Sequence, residues 1–291
     1  MDRKKIIFIP GWQGESIAQY NVRMARQTIK GDGVWKSIEL TTNPLDADLA
    51  VCLDNLYSIN LANKCGFTEN KIIFIKRESD MTHPVIKRSF ASSHQGEGYF
   101  CPAVWWLSLS FEELLKLPIP RKHKRVSAIV SSQNLLPLHK ERIKFIDNLS
   151  KVANVDVYGK GHDSGSFNSC YKGMLHNKIF NRCKYAGLQS YLYSIAIENN
   201  RQMGYFTEKI IDVILSYSIP IYYGAPDISM YFPSSSIQEL PGLNDVSLYK
   251  TLEIVRESPS EPQIEALSYA REIILFRYNI VNLIHKLSMN Q

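Results

Sequence analysis

Long hydrophobic runs are missing: nothing in the 291 residues approaches the ~18–20 consecutive apolar positions that cross a bilayer. The N-terminal stretch MDRKKIIFIPGW carries an apolar run of only about five residues, below the ~7–15 of a signal-peptide core, and reads as a first strand. The expectation is a cytoplasmic protein with no transmembrane segment. Cysteine is scarce. Cys52, Cys65, Cys101, Cys170 and Cys183 are scattered, odd in number and without a C-x-x-C pair, so reduced, mostly buried thiols are expected rather than a disulfide framework. The 7 histidines do not pair at metal-ligand spacing, and no metal site is expected. Gly11-Trp12-Gln13-Gly14 after the first strand is not G-x-G-x-x-G, and G-x-S-x-G and P-loop patterns are absent, which argues against nicotinamide, serine-hydrolase and P-loop chemistry.

What is present is ordinary for a globular chain: 45% apolar and 21% charged residues. The formal charge of +6 suits an anionic small ligand as well as nucleic acid. Length suggests two domains, each able to bury a core. Apolar runs at residues 6–9, 49–53, 72–75, 126–130, 155–158, 193–197 and 219–223 read as strands. Helical spacing falls at 16–29, 140–149, 208–217 and in one long amphipathic helix at 262–287. The alternation is α/β, and 126–158 forms a βαβ unit with parallel pairing. The stretch PIPRKHKR at 118–125 reads as a solvated linker, although its cations also resemble a nucleic-acid patch. Boundaries follow at 1–120, 121–260 and 261–291, the last a helix whose return to the first domain stays open.

The most informative stretch is ENNRQMGYFTEKIIDVILSYSIPIYYG, residues 198–224. Thr207 is placed to cap a helix, because its side chain can accept from the orphan amides of the first turn. Lys209 then lies at the positive end of the helix dipole, where a cation is mildly unfavourable unless an anion such as a diphosphate also binds there. Glu198-Asn199 follow a strand, where ligands of open α/β sheets collect.

Glu198-Asn199, then Tyr205-Phe206-Thr207-Glu208-Lys209, an apolar helix and Ile219-Pro220-Ile221-Tyr222-Tyr223-Gly224 together resemble the donor-binding motif of the α-1,3/4-fucosyltransferases, glycosyltransferase family ten. That family shows F-E-N, Y-x-T-E-K, a helix and I-P-I-x-x-G; here Ile197 stands for the Phe. Upstream, Val155 to Lys160 resembles V-D-V-[YF]-G-[KR]. Val130-Ser131-Ser132 with Arg142 resembles [VA]-S-N and its following arginine, Ser132 replacing the Asn. Ile75 to Pro84 resembles the F-E-S-P segment, with Asp80 where Pro is usual, and Tyr99 to Pro102 loosely resembles F-[VL]-P-Y.

The resemblance implies a GT-B enzyme, two Rossmann-like domains facing a cleft, with acceptor on the first and GDP-fucose on the second. It implies an inverting transfer to O3 or O4 of an N-acetylglucosamine- or glucose-containing glycan, with Glu78 as the base. Arg142, Glu198, Asn199, Tyr205, Thr207, Glu208 and Lys209 become donor-binding residues, Tyr205 and Glu208 toward phosphate and sugar or ribose. No cofactor is required and no nucleic acid is expected as partner; peripheral contact with membrane-linked acceptors stays open. Another GDP-sugar as donor, or a non-catalytic nucleotide- or nucleic-acid-binding protein, are the alternatives. Two further features have plainer readings: Asp46-Ala47-Asp48 as a turn rather than a D-x-D metal site, and Trp105-Trp106 as core rather than a sugar platform.

Overall fold

The computed structural model describes residues 2–77, 91–92, 103–175 and 183–289, which divide into two compact units. The first draws on Met1–Val104, Leu109–Lys116 and Leu275–Gln291, the second on Trp105–Ser108 and Leu117–Ile274.

The first unit runs β1 (Lys4–Ile9), α1 (Ile17–Ala25), β2 (Val34–Trp35), β3 (Ile38–Leu40), β4 (Leu49–Leu53), α2 (Leu56–Lys64), β5 (Ile72–Ile75), β6 (Ala91–Ser92) and α3 (Phe111–Lys116). Its sheet has the order β2-β3-β1-β4-β5-β6, parallel throughout except for the β2–β3 hairpin. Ile6 to Ile9, Leu49 to Leu53 and Ile72 to Ile75 are continuous apolar runs because both faces of this parallel sheet are covered. α1 ends at Ala25 and not near residue 29 as its spacing suggests. Thr28 intervenes: its hydroxyl donates to the Ala25 carbonyl (2.7 Å) and accepts from the Gly33 amide (3.0 Å), which turns the chain back toward β2.

The second unit runs β7 (Lys124–Ile129), α4 (Pro137–Val152), β8 (Asp156–Tyr158), β9 (Tyr191–Ile197), α5 (Glu208–Leu215), β10 (Ile219–Tyr223), β11 (Gln238–Glu239), α6 (Asp245–Arg256) and α7 (Glu261–Glu272). Its strands are all parallel, in the order β11-β10-β9-β7-β8. The connection from β7 runs to one side and that from β9 to the other, so the switch point lies between their carboxyl ends. Gly159, at φ +152°, closes the end of β8 against β7; a Cβ there would overlap the Val130 carbonyl.

The C-terminal tail departs from the single helix that its periodicity suggests. α7 passes through a π turn at Ile273–Arg277 and stops, and α8 (Ile280–Ser288) restarts in the first unit. Asn279 makes the break: its Oδ1 accepts from Val281 N (2.8 Å) and its Nδ2 donates to the Gln27 carbonyl (2.9 Å). Apolar spacing is blind to this, since an asparagine cap falls on a polar position of an uninterrupted pattern.

The basic stretch at 118–125 is more than a solvated crossing. Lys122 Nζ donates to the Ser216 carbonyl (2.8 Å) and the Ser218 hydroxyl (3.1 Å), and burial, with Arg271 nearby, pushes its ammonium down to about 7. Lys124 pairs with Asp156 at 2.8 Å, and Arg125 donates to the Glu257 carbonyl at 3.2 Å. Among the described residues no helix is long and apolar enough to cross a membrane.

Candidate functional site

α5 organises the site. Its residues Ile210, Ile211, Val213, Ile214 and Leu215 are all buried, so the helix is held by its whole circumference rather than one face. Thr207 caps it in extended conformation, its hydroxyl accepting from Lys209 N at 3.4 Å. The far end closes in a Schellman pattern, Ser218 N to Val213 O (3.1 Å) and Tyr217 N to Ile214 O (3.0 Å), with Tyr217 at φ +57°. A left-handed tyrosine is uncommon; here the Arg271 guanidinium lies 3.7 Å over its ring.

Glu198, directly after β9, is wholly buried. Its carboxylate accepts from the Thr207 amide (2.8 Å) and hydroxyl (2.7 Å) and stands 3.5 Å from Lys209 Nζ. Gly224 permits this: a Cβ at that position would overlap the Glu198 side chain and the Tyr222 hydroxyl. Asn199 accepts from Arg142 Nη1 at 2.6 Å, tying the loop after β9 to α4, and Arg142 is 5% exposed. An ordinary helix-surface arginine it is not. The loop between Asn199 and Thr207 is anchored by Asp227, whose carboxylate accepts from Gly204 N at 2.9 Å.

Lys209 Nζ lies 3.5 Å from Glu208 and 3.1 Å from the Thr207 hydroxyl. Lys184 Nζ reaches Glu208 at 3.4 Å and Asp212 at 3.0 Å, and Asp212 accepts from Trp106 N at 2.8 Å. Arg142, Lys184, Lys209, Glu208 and Asp212 line an open space whose apolar wall includes Ile129, Ile195 and Ile197. The carboxyls differ sharply. Burial pushes Asp212 up to about 6 against the pull of Lys184, and burial likewise raises Glu198 against Lys209. Burial would raise Glu208 too, but Lys209 and Lys184 outweigh it and hold that carboxyl well below the carboxylate range. Glu208 therefore keeps its charge beside the cations.

The pH consequence has a definite sign. Because Glu208 is depressed, its pairing stabilises the fold above the ordinary carboxylate range and is lost as pH falls through the folded value. Lys184→Met should cost about 2–3 kcal/mol near neutrality, less than the ~3–5 kcal/mol for breaking a fully buried pair, since Lys184 keeps some exposure. Thermal melts from pH 2 to 8 should show the gap to the parent narrowing first near pH 6, where Asp212 protonates, and again below the ordinary carboxylate range of ~4, where Glu208 takes up a proton on unfolding. A gap constant with pH would detach Lys184 from them.

Of the residues expected from the sequence, Arg142, Glu208 and Lys209 line the open space. Glu198, Asn199 and Thr207 bond to those side chains. Tyr205 is wholly buried, near enough for its charge state to bear on Arg142. Glu78 and Asp80 fall outside the described residues, as does Tyr99 to Pro102. Lys184, Asp212 and Asp227 were missed. Asp212 sits on the apolar α5, where an acidic residue between buried neighbours was the available signal; nothing in sequence marks Lys184. Asp46 accepts from Asn43 Nδ2 (3.0 Å) and Asp48 from Lys5 N (2.7 Å), each within its own turn or strand pair. Trp105 is buried. Among the described residues no three His, Cys, Asp or Glu side chains gather as a metal site.

Residues 119–259 match the family described as glycosyltransferase family 10 (fucosyltransferase), C-terminal part. A 49-residue stretch, 17% of the chain, is 43% identical to the alpha-(1,3)-fucosyltransferase FucT of Helicobacter pylori, and spans only 10% of that protein's length. A solved alpha1,3-fucosyltransferase with GDP superposes over 94% of this chain and 90% of its own, at 16% identity and a TM-score of 0.52. Another solved alpha1,3-fucosyltransferase matches over the same shares at 17% identity and a TM-score of 0.51. That likeness is one of fold, and it places the two parallel α/β units in the GT-B class.

Proposed function

We propose, from the match of residues 119–259 to glycosyltransferase family 10, that this protein transfers fucose from GDP-fucose to a hydroxyl of a glycan. The observation that carries the reading is the cluster at the amino end of α5. Two cations, Lys209 and Arg142, border one pocket beside a helix N-terminus, each held by an acceptor fixed to the same loop. Such an arrangement suits a diphosphate, because helix-end amides and pre-positioned cations meet anionic oxygens without reorganisation.

In the inverting reaction proposed, the acceptor hydroxyl attacks the anomeric carbon as a base takes its proton. The new O–C bond forms while the bond from that carbon to the phosphate oxygen breaks, its electron pair leaving with GDP. Lys209 and Arg142 meet the charge gathering on the diphosphate, and Glu208, held ionised, accepts from a ribose or sugar hydroxyl. The proposed acceptor position is O3 or O4 of an N-acetylglucosamine- or glucose-containing unit, and no resident cofactor enters the reading. The described cysteines are free thiols, which supports placing the activity in the reducing cytoplasm.

The test is incubation with GDP-fucose and a panel of lactosamine acceptors, following GDP release and product mass. Fucosylated product with GDP-fucose and none with UDP-sugars is expected. Turnover with a different GDP-sugar alone would move the donor assignment, and binding of GDP without any turnover would favour a non-catalytic role. Lys209→Ala and Arg142→Ala should each weaken GDP binding by ~1.5–3 kcal/mol, the worth of a charge-assisted bond, or roughly 10- to 150-fold. Parent-like affinity in calorimetry would remove that cation from the site.

A further inference from the structure

Two buried nitrogen donors of the second unit have no hydrogen-bond partner among the described residues, Arg142 Nε and His139 Nε2. They belong to side chains three residues apart on α4, hence on one face of its first turns. The His139 ring is 5% exposed, and its other nitrogen is engaged, Nδ1 facing the Leu136 amide at 3.4 Å. An amide can only donate, so Nδ1 is the acceptor and the neutral ring carries its proton on Nε2. Asn199 lies beside the ring and draws the imidazole's value up, but no atom of it meets Nε2 in hydrogen-bond geometry, and its carboxamide oxygen accepts from Arg142 Nη1 at 2.6 Å. Burial, with the charges of Arg142 and Lys209, holds the imidazole below its usual value and keeps it neutral.

A buried N–H without an acceptor is costly, and two together are seldom kept without an occupant. The needed occupant is oxygen-rich and anionic: it must accept from a neutral imidazole and a guanidinium beside a third cation, at the amino end of α4. We propose that His139 is a further donor-binding residue, its Nε2–H hydrogen-bonding an oxygen of the nucleoside diphosphate that Arg142 also holds. This rests on the GDP-sugar reading above. His139 acts as a fixed neutral donor, adding direction where the cations add charge.

Calorimetry with GDP and with guanosine, on the parent, His139→Ala and His139→Gln, tests it. His139→Ala should weaken GDP binding about ten- to hundredfold and leave guanosine unchanged. His139→Gln, whose amide can present an N–H at similar reach, should recover most of the loss. In the free parent at pH 7.5, ring-nitrogen NMR should find His139 as the Nε2–H tautomer, and GDP should shift that proton downfield. These NMR readings stand even where His139→Ala does not fold. Unchanged GDP affinity in His139→Ala, equal loss of guanosine, an Nδ1–H tautomer or no shift on adding GDP would each overturn the proposal. A parent that binds pyrophosphate or UDP but not GDP sinks the GDP-sugar reading alone; His139→Ala must then weaken that ligand for the proposal to stand. A parent that binds neither nucleoside diphosphate nor pyrophosphate overturns both.

Discussion

Glu198→Ala should lower the unfolding free energy by about 3–5 kcal/mol, the cost of breaking a buried charge pair from one side. Glu198 is wholly buried, and removing it strips the Thr207 amide and hydroxyl of their acceptor and Lys209 of a counter-charge 3.5 Å away. The void left between β9 and β10 adds to the loss, since Gly224 leaves no side chain to refill it. Glu198→Gln keeps the volume and the bond from the Thr207 amide, so its cost should be nearer 1–2 kcal/mol. Urea unfolding of both variants measures the difference. GDP affinity should fall in both, because Lys209 is no longer held at its position. If alanine costs under 1 kcal/mol, the bonding at this carboxylate is not what secures the loop.

Glu78→Gln should lower turnover by about 10²- to 10⁴-fold while leaving GDP affinity at the parent value, as expected when a general base is removed. The family resemblance is what proposes the role. Glu78 directly follows Arg77 at the carboxyl end of β5, the end at which ligands of parallel sheets collect. Arg77, just before it in sequence, bonds through its guanidinium and its backbone amide to the buried Asp54. Glutamine preserves size and can still hydrogen-bond an acceptor hydroxyl, but it cannot take the proton. Transfer at the parent rate would shift the role to Asp80 or another residue near it, and a matching loss of GDP affinity would mean that Glu78 helps hold the donor.

Much of the architecture was legible in the sequence because the chain uses parallel sheets. Runs such as Ile6 to Ile9 and Ile72 to Ile75 are unbroken by polar residues, and only a strand covered on both faces reads that way. Thr207 announced the start of α5, and the helix caps there. What the sequence misjudged were places where one polar side chain overrides a pattern. Thr28 ends α1 early, and Asn279 splits the C-terminal helix, each through a bond to a carbonyl or amide that spacing cannot reveal.

Order and residue type along the chain determined that a strand end, a capped helix and a lysine in its first turn would lie together, because those elements are adjacent in sequence. Only the tertiary structure decided what meets them from a distance. Arg142 reaches Asn199 across 57 positions, Lys184 reaches Glu208 across 24, and Trp106 N meets Asp212 across 106. Their protonation was decided there too. Glu198, Glu208 and Asp212 are the same carboxyl chemistry in sequence, yet burial raises two of them, and two lysines near 3.5 Å depress the third. Charge in a protein is set by what surrounds a group, and that is a property of the folded chain.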